Sequence, residues 1–229
     1  SLVSFPGFNV ANIVPFLKGS GKPLFNRAIS GTYTPGSTIK PLVALAALRE
    51  QLITPDFSMY SAGSIEVPNP YDASRPSKFL DWKAHGWVDL RRALAVSSNI
   101  YFYGLGGGLP RETYTYGPLP KTLGIAKLNE YWQFFGFGKA SGIDLPSEQS
   151  GYLPDPEKKE KRTGSPWRLG DTYNVSIGQG DVQVTPLQLL SFIASIGNGG
   201  YVYQPHLVVP KEPLVPLVDY SSWTSERSA

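Results

Sequence analysis

Ser37 and Lys40 stand three residues apart in the run Thr34-Pro35-Gly36-Ser37-Thr38-Ile39-Lys40-Pro41. On a helix, positions i and i+3 share a face, so the amine can reach the hydroxyl. A serine hydroxyl is a weak nucleophile until a base takes its proton, and a lysine kept neutral by burial can be that base. A second candidate is Ser97-Ser98-Asn99, an S-x-N pattern built from residues that favour caps and turns. Neither pattern is informative alone. The chain has 23 Ser, 12 Lys and 8 Asn in 229 residues. Chance therefore supplies about 1.2 S-x-x-K and about 0.8 S-x-N matches. Ser37 as a plain helix cap, Lys40 as a solvated side chain and 97–99 as a turn between helices are the competing readings.

The elements that must position these residues can be read from local signals. The segment from Ile39 to Leu52 is rich in Leu and Ala, the strongest helix formers. Pro41 is costly in a helix interior, so this helix is predicted to begin near Ser37, with Pro41 in its first turn. Its N-terminal amides would then favour negative charge building near Ser37. Residues 53–88 read as irregular and turn-rich. Asp89 is a predicted N-cap for a helix carrying Leu90, Ala93 and Leu94 on one face, which 97–99 interrupts. The aromatic segment Ile100 to Leu105 follows, then a long loop from Gly106 through Pro120. Leu128, Trp132 and Phe135 are at helical spacing, with Gly136 as a stop. The mixed charge run Glu157 to Arg162 predicts a solvated loop or short exposed helix. Thr185-Pro186-Leu187-Gln188 is a capping-box helix start, ended by Gly197 to Gly200, and 201–203 reads as a strand. Leu2 to Phe5 alternates like a short strand, and 210–229 reads as a weakly patterned tail.

Composition limits the function classes. A net charge of +3 is too small to suggest a nucleic-acid binder. The absence of cysteine removes disulfides, Cys–zinc sites and thiol catalysis. With 41% hydrophobic and 13% aromatic residues, a folded core is expected rather than disorder throughout. No stretch reaches the roughly 18 apolar residues of a membrane span, and no leader opens the chain.

In combination the motifs are specific. S-x-x-K followed by a Ser-x-Asn motif belongs to the motif set of β-lactamases and penicillin-binding proteins. Asn26 to Ile29 with Tyr33 to Pro41, and His85-Gly86 with Val88-Asp89-Leu90 and Ser97 to Tyr103, occur in the family order. So do Phe135 to Gly138 with Gly142 to Pro146, Gly170 to Thr172, Ile177 to Gly180 with Thr185 to Gln188, and Asn198 to Gly200 with Pro205-His206. Across about residues 1–208 the chain resembles the transpeptidase domain of class B penicillin-binding proteins, especially the elongation type. The resemblance implies an α+β fold of the penicillin-binding-protein/serine β-lactamase-like transpeptidase type: here a helix-rich fragment with an incomplete antiparallel sheet, 1–229 being a partial domain. It implies Ser37 as the acylated nucleophile, Lys40 as its general base, Ser97 as proton relay to the leaving amine and Asn99 as a hydrogen-bonding partner of the substrate peptide.

The resemblance also implies peptidoglycan stem peptides as substrates, β-lactams as inhibitors, and glycosyltransferase and elongation-complex partners. It places a membrane-anchored parent at the extracytoplasmic face of the bacterial membrane, with the anchor outside this chain. No cofactor and no metal are expected. Asp81 and His85 fall near a place where some relatives hold zinc, but two candidate ligands favour a surface carboxylate and a turn histidine. The family's third motif, Lys-Thr-Gly, is not found after Gly180. Lys161-Arg162-Thr163-Gly164 precedes Gly178-Gln179-Gly180 and carries an extra Arg, so no third-motif role is expected there. Little turnover and poor stability are therefore expected of this chain alone. The alternatives are a non-catalytic scaffold module, or a β-lactam sensor or serine β-lactamase.

Overall fold

The computed structural model describes residues 21–22, 24–69, 72, 74–109, 119, 121–208 and 210–225. The expected strand at 2–5 lies outside the described residues, as does most of the expected loop, at 110–118 and 120. A central helix, α1 (Lys40–Arg49), continues from one 3-10 turn, Gly36–Ile39. Pro41 sits in the first helical turn, where its missing N–H leaves no bond unmade. Leu42, Val43, Ala44, Ala46 and Ala47 are all buried and Leu45 and Leu48 are half-buried, so most of the circumference of α1 is enclosed, as a largely apolar helix requires.

Residues 53–88 are more regular than their sequence implies. They hold β1 (Met59–Ser61), β2 (Ser64–Val67), β3 (Ser77–Leu80) and β4 (Gly86–Val88). β1 pairs antiparallel with β4, Met59 opposite Val88. β2 pairs antiparallel with β3, Ile65 opposite Phe79. Strands of three or four residues give too few alternations for a period to show. Their pairing is made by contacts across the chain.

The helical signals are local, and they hold. Asp89 caps α2 (Leu90–Ala95), its Oδ1 accepting from Arg92 N at 2.7 Å. Ser98 caps α3 (Asn99–Gly107), whose residues from Ile100 to Gly106 are buried. Gly106 and Gly107 thus end a helix instead of opening a loop. α4 (Gly124–Phe134) turns Leu128, Tyr131 and Trp132 into the core and ends before Gly136. α5 (Pro156–Thr163) is the exposed charged helix, with no buried residue. α6 (Leu169–Ser176) lies against α3 so closely that a Cβ on Gly106 would fall 1.8 Å from Ser176 Oγ. α7 (Pro186–Gly197) carries the full capping box between Thr185 and Gln188.

The C-terminal segment corrects the expectation of a tail for part of its length. β5 (Tyr201–Val202) pairs antiparallel with β6 (Val218–Asp219), and α8 (Ser222–Ser225) follows. Tyr220 is 1% exposed and packs its ring edge-to-face on Phe135 at 5.0 Å. Tyr220 and Trp223, which stacks on Phe134 at 5.0 Å, fix this segment, and two aromatics leave no period to read.

Candidate active site

Ser37 lies exposed in the 3-10 turn at the head of α1. The turn is tied from behind. Tyr33 and Val184 exchange two backbone hydrogen bonds of 2.9 Å, and Gly36 N donates to Gly178 O at 2.7 Å. Gly178 has φ +72°, and a Cβ there would sit 2.1 Å from Gly36 O. Only glycine allows two backbones to approach this closely. Gly178-Gln179-Gly180 is therefore the tight turn that backs Ser37.

Lys40, one helical turn further on, is 1% exposed. Its Nζ donates to Ser97 O at 2.7 Å, Ser97 Oγ at 3.0 Å and Asn99 Oδ1 at 2.8 Å. An ammonium has three hydrogens, and all three are engaged. The Phe102 ring centroid lies 5.4 Å from the same nitrogen. Lys40, Ser97 and Asn99 are thus brought together across the chain. Ser37 stands on the adjoining turn and is not among the hydrogen-bond partners of Lys40. Such contacts often close only around substrate.

Burial pushes the Lys40 amine down to about 8, and the negative charge of Asp81 opposes part of that fall. With this value about a quarter of the amine is neutral near pH 7.5, against about 0.1% for an ordinary lysine. A neutral lysine retains one lone pair, which can take a proton from a serine hydroxyl. The arrangement can therefore activate a serine without histidine or metal. The two other phenols near the site are driven upward by burial, Tyr103 to about 12 and Tyr101 further, so both remain protonated donors. Tyr101 OH donates to Phe57 O and Tyr103 OH to Leu80 O.

Ser97 carries φ +54°, the left-handed region, which is unusual for serine. The chain needs this reversal to leave α2 and enter α3 within three residues, and it aims both Ser97 oxygens at Lys40. Trp82 Nε1 holds Val96 O at 2.9 Å, and Asn99 Nδ2 donates to Leu80 O at 3.1 Å, which orients the amide. These contacts come from the end of β3 and the β3–β4 connection, within the stretch whose sequence reads as irregular.

Asp81 and His85 are not the expected surface pair. Their side chains are 0% and 3% exposed, with His85 Nε2 3.7 Å from Asp81 Oδ1. The groups beside them are the hydroxyls of Ser61 and Ser98, both donating to Asp81. A structural zinc takes four Cys or His ligands in most sites. One carboxylate and one imidazole among hydroxyl donors do not fit it. No cluster of three His, Cys, Asp or Glu that could hold a metal occurs among the described residues. Lys161 to Gly164 is the C-terminal end of α5, with Gly164 in the left-handed cap position. Lys161 bonds Glu157 at 2.6 Å and Arg162 bonds Asp181. This is a solvated helix end, not a sheet strand bordering the site.

A profile described as "Penicillin binding protein transpeptidase domain" matches residues 1–221. This chain belongs to the penicillin-binding-protein transpeptidase family. Within the family it is 37% identical to the peptidoglycan D,D-transpeptidase MrdA of Haemophilus influenzae over 194 residues, 84% of this chain and 27% of that protein. It is 35% identical to MrdA of Acinetobacter baumannii over 219 residues, 91% of this chain and 30% of that protein. The chain thus spans under a third of the length of these relatives. The structure resembles PBP2 from Helicobacter pylori at TM-score 0.76 and 31% identity, covering 96% of this chain and 38% of that one. PBP2 of Pseudomonas aeruginosa in complex with WCK 5153 follows at TM-score 0.73 and 31% identity, covering 95% and 48%. The transpeptidase fold and its α+β class are thereby established, with the helix-rich balance expected from the motifs.

Proposed function

We propose that this chain carries the acylating centre of a peptidoglycan D,D-transpeptidase. The observation that supports it best is the buried Lys40 amine held by Ser97 and Asn99 three residues after an exposed serine. In the proposed cycle Lys40, in its neutral form, takes the Ser37 hydroxyl proton as Oγ attacks the carbonyl of the terminal D-Ala-D-Ala bond. The tetrahedral intermediate collapses to an acyl-Ser37 ester. The C–N bond breaks and D-Ala leaves as the amine, with a proton delivered through Ser97. Asn99 bonds the substrate peptide with whatever of its amide is not held by Lys40 and Leu80 O. The amine of a second stem peptide then attacks the ester, forming the cross-link and returning the proton to Ser37. β-Lactams enter the same path and stop at the acyl-enzyme.

The wider setting is proposed on the same basis. A Helicobacter pylori relative has been solved in complex with MreC, and another neighbour in a peptidoglycan synthase complex. Elongation-complex proteins and a glycosyltransferase are the corresponding partners here, at the extracytoplasmic membrane face. Among the described residues no helix is long and apolar enough to cross a membrane. The test is covalent labelling of the full-length gene product with a fluorescent penicillin, wild type beside Ser37→Ala. Labelling confined to the wild type supports the reading, and undiminished labelling of the variant overturns it.

A further inference from the structure

The second motif is held in place by a residue outside it. Asp81 follows β3, and its buried carboxylate accepts five hydrogen bonds. Oδ1 takes Trp82 N at 3.0 Å and Asn99 N at 2.9 Å; Oδ2 takes Ser61 Oγ at 3.0 Å, Ser98 Oγ at 2.7 Å and Ile100 N at 3.3 Å. Three of the five donors are consecutive residues, Ser98, Asn99 and Ile100. They are the cap and first turn of α3, where helix N–H groups have no partner within the helix. The residue before them is Ser97, in its left-handed conformation. Such a conformation persists only where the surroundings over-determine it. Here the surroundings include Lys40, which bonds both Ser97 oxygens, and this carboxylate, which holds the three residues that follow and is anchored on its far side by Ser61.

We propose that Asp81 is a positioning residue for acylation, fixing Ser97 and Asn99 where Lys40 bonds them. The inference rests on the acyl-serine reading above. Lys40 makes no hydrogen bond to Asp81; the carboxylate acts on it by placing the motif between them and, through space, by its charge. A carboxylate suits this position because it only accepts, and every neighbour here donates. The amide of an asparagine at 81 would turn its NH₂ toward Asn99 N–H or toward the two hydroxyls, and at least one bond to the turn would be lost. The titratable groups around the carboxylate are Lys40 across the motif, His85 at 3.7 Å and Tyr103, whose hydroxyl bonds Leu80 O. Removing the charge leaves the burial of Lys40 unopposed, so its proton is held less tightly.

The experiment measures the second-order rate constant for acylation by a fluorescent penicillin against pH, in the full-length gene product, with the labelled fraction titrated. Asp81→Asn is expected to lower the plateau rate at least tenfold and to move the midpoint of the rising limb to lower pH. Ser61→Ala, which loosens the far side of the same carboxylate without touching the motif, is expected to lose two- to fivefold. A merely structural role would reduce the labelled fraction and leave the midpoint where it is, and that result overturns the proposal. So does an Asp81→Asn rate within twofold of wild type. Should Asp81→Asn fail to fold, an unchanged Ser61→Ala rate overturns it. Ser37→Ala is run alongside. If that variant labels like wild type, the acyl-serine reading itself falls, and this inference falls with it. If it is silent while Asp81→Asn labels normally, only the role of Asp81 falls.

Discussion

Gly178→Ala tests whether backbone contact sets the place of Ser37. Gly36, which precedes Ser37, donates its N–H to Gly178 O at 2.7 Å. A Cβ at 178 would lie 2.1 Å from Gly36 O and 2.8 Å from both Gly36 C and N. Non-bonded heavy atoms rest at roughly 3.5 Å, so the two turns must part by about 1 Å. A displacement of about 1 Å at a reacting group costs about 10²-fold in rate. The alanine must also adopt φ +72°, which costs about 1–2 kcal/mol for a residue with a Cβ. Gly180→Ala separates the two effects. Gly180 has the same φ of +72°, but its nearest neighbour to an added Cβ is Asn174 Cβ at 3.4 Å. Both variants should lose stability in a urea melt, Gly180→Ala by about 1–2 kcal/mol. Only Gly178→Ala should also lose about 10²-fold in the rate constant for acylation by a fluorescent penicillin. A Gly178→Ala rate within threefold of that of Gly180→Ala would refute the idea that the Gly36–Gly178 contact sets the nucleophile's position.

Other expectations follow from the same geometry. The acylation rate needs Lys40 neutral, and its amine sits at about 8. The rate should therefore rise about tenfold per pH unit below about 8 and level off above it; a limb centred near the ordinary histidine value of about 6.5 would contradict Lys40 as the base. Lys161→Ala and Arg162→Ala, on the exposed end of α5, should leave that rate within twofold of wild type, and a tenfold loss would restore the third-motif reading of 161–164. Gly106→Ala should destabilise the fold by about 1–3 kcal/mol through overpacking, because its Cβ would meet Ser176 Oγ at 1.8 Å. Adding Ser176→Ala removes that oxygen and should recover part of the loss, as read by denaturant midpoint.

The sequence by itself determined the chemistry present and the starts of several helices. Pro41, Asp89, Thr185 and Gln188 act on backbone groups within four residues, so their caps and starts are legible without the fold. The identities and order of Ser37, Lys40, Ser97 and Asn99 were legible too, although the spacing of each pair was no better than chance. What the tertiary structure decided is how these groups act. Lys40 meets its partners across 57 and 59 positions of chain, and Asp81 meets the second motif across 17 to 19. No periodicity reaches that far. The burial that brings the Lys40 amine to about 8 exists only once α1 is enclosed. The short strands of 59–88 and the pairing of β6 depend likewise on partners from distant chain, and Asp81 reads as a surface carboxylate until the fold closes over it. Local signals set secondary structure because their bonds are short in sequence. The site depends on desolvation and on long-range hydrogen bonds, and only packing supplies those.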